Sequence, residues 1–357
     1  MKYSWYIAVQ TGLMSPQRKK KKVSLKDIAR QVGVSTALVS YVLNNKREDR
    51  ISKEVAGKIR STAKKLNYRT NQIARSLKTN KTATLGLIVA DISNPFFSQL
   101  ARFIEDQAAI NHYTVIFGSS DENGQKSKNL VDIFIDRQVD GLIIAPAENT
   151  EPQLRALRKT GTPFVLVDRY FPGLKCSYVA LDNFQAAREA VKHLIHEGNR
   201  RIGLVTFKTN FFHIAERKNG YAAALKEADI PINKKWIREV DMANPAPEVE
   251  KAIADMLNLS SPPDALFFAT NALFIQAMKY ITRHGIKVPD QIAIVSFDET
   301  EASELFYAPP TYVRQPIKEM GQLATRILIE NMDTRHIEQI HLPGELVINA
   351  SSKRSLL

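Results

Sequence analysis

One cysteine, two tryptophans and the want of any long apolar run set the first limits on this 357-residue chain. A lone Cys176 excludes an internal disulfide framework and suits a reducing compartment, so a cytoplasmic protein is expected. No apolar stretch approaches the roughly 20 residues that cross a bilayer, and no membrane partner is expected. The chain also has no Gly-x-Ser-x-Gly elbow, no Gly-rich phosphate cradle and no Cys/His set at metal-ligand spacing. Catalysis, a resident metal and a cofactor are therefore not expected. His193 and His196 stand about one turn apart near the end of a helical pattern. Two exposed histidines there are read as complementing the helix dipole rather than as metal ligands.

What the chain does have is positive charge in one place. Residues 1–80 carry 19 Lys/Arg against 4 Asp/Glu, a balance of +15, while residues 81–357 carry 31 against 33, a balance of −2. A polyanion-binding module joined to a near-neutral domain leaves that footprint. At the very front, Trp5-Tyr6-Ile7-Ala8-Val9 is too short for a signal-peptide core, and Lys19 to Lys22 follow it where a cleavage site belongs. Residues 1–22 are read as a disordered basic extension.

Residues 23–69 read as three amphipathic helices. Ser24 caps a first helix with Leu25, Ile28, Ala29 and Val32 on one stripe, and Gly33 turns the chain. Ser35 caps a second helix with Leu38, Val39, Val42 and Leu43 inward, and a third from Ser52 buries Val55, Ile59, Ala63 and Leu66. Two short helices joined by Gly-Val-Ser form a helix-turn-helix. The outward face of the second, with Thr36, Ala37, Ser40, Tyr41 and Asn44, then meets base edges in a major groove. Ser24, Lys26, Ser35, Asn45, Lys46 and Arg47 lie where the backbone phosphates would pass. The expected partner is double-stranded DNA.

From Thr84 the pattern changes to short apolar strands alternating with amphipathic helices. Strands are expected at 85–90, 113–118, 141–146, 164–168, 178–182, 201–207, 265–270 and 292–298, with helices such as 97–111 and 183–197 between them. Such runs argue for parallel sheets covered on both faces, and residues 81–357 are too many for one compact sheet, so two α/β lobes are expected. Ligands then bind beyond the C-terminal strand ends. Asp91 and Asn94 with Phe96 and Phe97, Asp168 with Arg169, then Asn271 and Asp298, all fall at such ends. Asn94 followed by Pro95 is equally well explained as a helix cap.

The runs LKDIARQVGVSTALVSYVLN, LNYRTNQIARSLKT and TLGLIVADISNPFF, in that order, resemble the lactose repressor / purine repressor family from Val23 almost to the C-terminus. The resemblance implies an all-α helix-turn-helix headpiece, a hinge at residues 70–80 and a two-lobed, periplasmic-binding-protein-like α/β core that dimerises. It implies base reading by Thr36, Ala37 and Tyr41, and a hinge helix that folds on DNA with Leu77 wedged into the minor groove and Arg75 and Lys78 beside it. It implies a small-molecule effector of the carbohydrate class, paired with Arg217 in AERKNGY and accepted by Asp298, with Gln315 on a segment between the lobes. Tyr41 replaces an arginine common in the family, which removes a bidentate guanine contact. Ala272 stands where an aspartate is usual, and Phe211-Phe212 is expected to supply apolar contact. The reading is a homodimeric transcription repressor. A periplasmic solute-binding protein would carry a cleavable signal and no headpiece, and the sequence fits neither.

Overall fold

The computed structural model describes residues 23–45, 50–68, 81–300, 303, 305–334 and 336–353. The chain divides into two compact units, residues 1–80 and 81–357. Hinge residues Arg75, Leu77 and Lys78, with Lys46 and Arg47, lie outside the described residues.

In the first unit, α1 (Leu25–Val32), α2 (Thr36–Leu43) and α3 (Lys53–Lys65) close around Ile28, Ala29, Val39, Val42, Ile59 and Ala63. The Ser24 backbone N–H and hydroxyl both donate to the Asp27 carboxylate, at 2.9 and 2.7 Å, which fixes the start of α1. Gly33 takes φ +76 at its end and donates to the Ala29 carbonyl. That left-handed turn sets α2 across α1, and few residues other than glycine adopt it without strain. Ser35 and Ser52 accept from Leu38 N and Val55 N as caps of α2 and α3.

The second unit is two lobes, each a six-stranded sheet with helices on both faces. The first sheet holds β1 (Thr84–Val89), β2 (Thr114–Ser119), β3 (Gly141–Ile144), β4 (Phe164–Val167), β5 (Ser177–Leu181) and β11 (Gln339–Leu342). Their order is β11-β5-β4-β3-β1-β2 and every pairing is parallel. The second holds β6 (Ile202–Phe207), β7 (Ile237–Val240), β8 (Ala265–Phe268), β9 (Ala293–Phe297), β10 (Thr311–Arg314) and β12 (Glu345–Val347), in the order β12-β10-β9-β8-β6-β7. Among the described residues, β10 and β12 alone pair antiparallel. Strands such as LFF of β8 are apolar throughout because helices cover both faces.

Around the first sheet lie α4 (Pro95–Ile110), α5 (Gly124–Asp136), α6 (Glu151–Thr160) and α11 (Ile317–Asn331), and around the second α7 (Asn183–His196), α8 (Phe212–Glu227), α9 (Pro245–Leu257) and α10 (Asn271–Arg283). The chain passes between lobes three times: after β5, after β10 and after β11. Gly220 lets α8 approach α7 closely, since a Cβ there would stand 2.3 Å from the Phe184 carbonyl oxygen. Four strands (β7, β10, β11 and β12) are additional to the eight expected. His193 also differs from expectation: it is buried, with Nε2 2.7 Å from Ser352 Oγ, while His196 is exposed beside Glu197. The C-terminal segment folds back over the helix end and covers one histidine only.

Candidate functional site

On the headpiece, Thr36 and Ala37 are exposed at the start of α2, with Ser40, Tyr41 and Asn44 half-buried behind them. The Asn44 amide donates to the Ser40 carbonyl at 2.7 Å, so this side chain is turned back on its own helix. Ser35 is spent as the α2 cap. Lys26 and Ser24 are exposed at α1. Arg60 on α3 donates to Asn45 Oδ1 at 3.1 Å, bracing the turn after α2 at a residue with φ +50.

In the core, the C-terminal ends of both sheets face one cleft. Asp168 follows β4 and Asp298 follows β9, each in the left-handed region, at φ +68 and +66. Each amide closes onto a neighbouring strand, Asp168 N to the Val179 carbonyl and Asp298 N to the Val313 carbonyl, both at 2.9 Å. Aspartate tolerates this geometry better than most residues, and its persistence in both lobes marks a functional position.

The first lobe's half is a charge network. Arg169 holds the Glu122 carboxylate with both terminal nitrogens at 2.7 Å, and its Nε lies 3.3 Å from Asp168 Oδ2. Its guanidinium sits 4.2 Å from the Phe211 ring centroid of the second lobe and 5.6 Å from that of Phe97. Burial pushes the Asp168 carboxyl up to about 6 against the pull of Arg169 and Arg217. Burial opposes the Arg169 charge, but its bonds to Glu122 prevail and hold its pKa above the ordinary value.

The second lobe's half is less complete. Arg217 donates to Asn183 Oδ1 at 2.7 Å and to the Ala269 carbonyl at 2.6 Å, and lies 3.7 Å over Phe297. Burial lowers its pKa to about 10, with Asp298 and Asp168 working the other way. Asp298 accepts from Gln315 Nε2 at 2.7 Å, and burial raises its carboxyl despite Arg217. His213 is buried and held well below its usual pKa, first by burial and then by Arg169 and Arg217, so its ring is neutral. Asn271 Oδ1, Gln315 Oε1 and His213 Nδ1 are buried without a hydrogen-bond partner. Such atoms are costly unless something meets them.

A cavity of about 600 Å³ opens here, lined among others by Asn94, Phe96, Asn271, Asp298 and Gln315. Asn94 both caps α4, accepting from Phe96 N at 3.1 Å, and lines this cavity, so its two readings hold together. Asp91 is turned away, bound to the Ser93 amide and hydroxyl at 2.9 and 2.7 Å. Phe97 packs in the first lobe's core, edge-on to Phe96. Across the cleft mouth, Glu148 accepts from Asn210 N at 2.6 Å and from Thr209 Oγ1 at 3.2 Å, and Phe212 meets Tyr170 at 5.2 Å. Glu122, Asn183 and His213 were not anticipated. Glu122 follows β2 and was legible by the same strand-end logic.

Residues 24–71 match the family described as bacterial regulatory proteins, lacI family, and residues 191–352 the periplasmic binding protein-like domain. Catabolite control protein A of Priestia megaterium is 32% identical over 335 residues, which is 93% of this chain and 99% of that protein. The HTH-type transcriptional repressor CytR of Escherichia coli K12 is 29% identical over 95% of this chain and 99% of its own. The crystal structure of the lac repressor dimer bound to operator and the anti-inducer ONPF superposes with a TM-score of 0.83 at 24% identity, covering 94% of this chain and 100% of that one.

Proposed function

The chain belongs to the lacI family of bacterial regulatory proteins, DNA-binding transcription regulators rather than enzymes, and from that premise we propose a repressor whose operator affinity answers to a sugar or sugar derivative held between the lobes. One observation carries the ligand reading: the unmet buried polar atoms of Asn271 and Gln315 line the cleft cavity together with the Asp298 carboxylate, whose charge acts on the buried Arg217 guanidinium. Neighbouring hydroxyls, each both donor and acceptor, meet a mixed set of this kind, and Phe96 and Phe211 offer apolar faces to a ring. Asp298, Asn271, Gln315 and Arg217 are assigned to the ligand. Asp168, Arg169 and Glu122 hold the opposing wall, and Asp91 lies outside the set. Thr36, Ala37 and Tyr41 read base edges, Ser24 and Lys26 meet phosphates, and Leu77 wedges the operator centre between Arg75 and Lys78.

A homodimer in the cytoplasm is part of this reading. The edge strand β2 and the end of α4 expose Phe117 at 60% and Ile110 at 70%, an apolar flank suited to a second copy. The test is a thermal-shift screen of the full chain against monosaccharides, disaccharides and nucleosides. A sugar at about 100 times its Kd stabilises by about 2.7 kcal/mol, and Asp298→Asn removes that shift. A response to nucleosides alone, or silence with operator binding intact, overturns the carbohydrate assignment.

A further inference from the structure

A second cavity lies at the opposite end of the first lobe, where β4 and β5 begin. It holds about 340 Å³, within the range of roughly 300–1,000 Å³ common for small-molecule sites. Its floor is apolar: Val165, Ile327 and Leu328 are 2, 0 and 1% exposed. The thiol of Cys176 forms one wall, and burial pushes it up to about 12 against the pull of Arg158, so it packs as a neutral group. Every charged residue on the lining is basic: Arg158 at the end of α6 and Lys175 on the loop before β5, with His336 beside them. Among the described residues neither Arg158 nor Lys175 pairs with a carboxylate, whereas Glu151 is taken by Arg155, and Glu338 by Asn331 and Arg326.

The position of Arg158 in the last turn of α6 favours a cation by itself, because a helix C-terminus is electronegative. That accounts for neither Lys175, which stands on no helix, nor a rim whose charged residues, among those described, are all basic above an apolar floor. Helix α11 joins the two cavities, with Ile317 and Lys318 on the cleft and Asn331 and Met332 here.

We propose that this pocket is a second ligand site, distinct from the interlobe cleft, that takes a small organic anion with an apolar body and a carboxylate or phosphate head. The body lies on Val165, Ile327 and Leu328, and the head meets Arg158 and Lys175. The site is independent of which molecule occupies the cleft.

Calorimetric titration of the full chain with octanoate and with phenyl phosphate tests this. Saturable binding of one molecule per chain is expected for at least one anion, with 1-octanol and inorganic phosphate, each holding half of the required chemistry, about tenfold weaker or worse. The double variant Arg158→Gln/Lys175→Gln changes two exposed side chains, keeps the parent's melting temperature, and loses about tenfold or more in affinity. Asp298→Asn in the cleft leaves anion affinity within about twofold. No saturable heat from either anion up to about 10 mM, undiminished affinity in the double variant, or loss of binding in Asp298→Asn would each overturn the proposal.

Discussion

The two lobes build one device twice and complete it differently. Each ends a central strand in an aspartate of positive φ, Asp168 in the first lobe and Asp298 in the second, with an arginine near it. In the first lobe the arginine is mostly engaged: Arg169 is held bidentately by Glu122, while its Nε, 3.3 Å from Asp168 Oδ2, makes no hydrogen bond. In the second, Asp298 accepts, among the described residues, from the neutral Gln315 amide alone, and Asn271, Gln315 and His213 keep unmet atoms. A scaffold repeated in two lobes is thus completed differently in each. The first wall leaves one buried polar atom unmet, Arg169 Nε, and the second leaves three, so the proposed ligand is assigned to the second.

Four substitutions put that contrast to the test. Arg169→Ala strands Glu122 and Asp168 in a buried network, so a loss of about 3–5 kcal/mol in unfolding free energy is expected by denaturant titration. Asp298→Asn keeps the shape and the left-handed turn but removes a charged acceptor. Effector affinity falls about a hundredfold, while operator affinity without effector stays within about twofold. Equal losses of effector affinity in Asp168→Asn and Asp298→Asn erase the distinction between the walls.

The third is read through pH. The Asp168 carboxyl, raised by burial to about 6, binds its proton in the folded chain at pH values where the unfolded chain has already released it. Its favourable contribution is complete below about pH 4 and is lost as pH rises through 6. His213, kept neutral by burial, works in the opposite direction below its ordinary 6.5, and Asp298, raised by burial, works in the same direction as Asp168, so the parent's curve alone mixes all three. The difference between Asp168→Asn and parent isolates the carboxyl: the variant gains about 2 kcal/mol relative to parent between pH 4 and 7. A flat difference contradicts the raised pKa. The smallest effect is that of Phe211→Leu, which removes the ring face over Arg169 and costs about 1 kcal/mol, a drop of about 2–4 °C in melting temperature.

Much of this arrangement was legible in the sequence because parallel strands announce themselves and their C-terminal ends bind. Asp168, Asn271 and Asp298 were found by that rule. The strands that escaped, β7, β10, β11 and β12, read IREV, TYVR, QIHL and ELV. Three stand at sheet edges, where water or few neighbours admit polar side chains and no continuous apolar run forms. Glu122 stands just after β2 in the polar SSDENG turn, where the same rule would have found it. The burial of His193 depends on Ser352, 159 residues away, which no helical periodicity can report. The left-handed φ of both aspartates was equally invisible, since it follows from how adjacent strands close on them.

The most direct measurement is selection of genomic duplexes by the purified full chain, followed by titration of the best one with and without the sugar found in the thermal screen. The account predicts enrichment of near-palindromic sites with two half-sites about one helical turn apart, affinity that falls steeply with salt, and at least a tenfold change on adding the sugar that Asp298→Asn abolishes. A chain that enriches no duplex, or whose operator affinity is untouched by any molecule bound in the cleft, contradicts it.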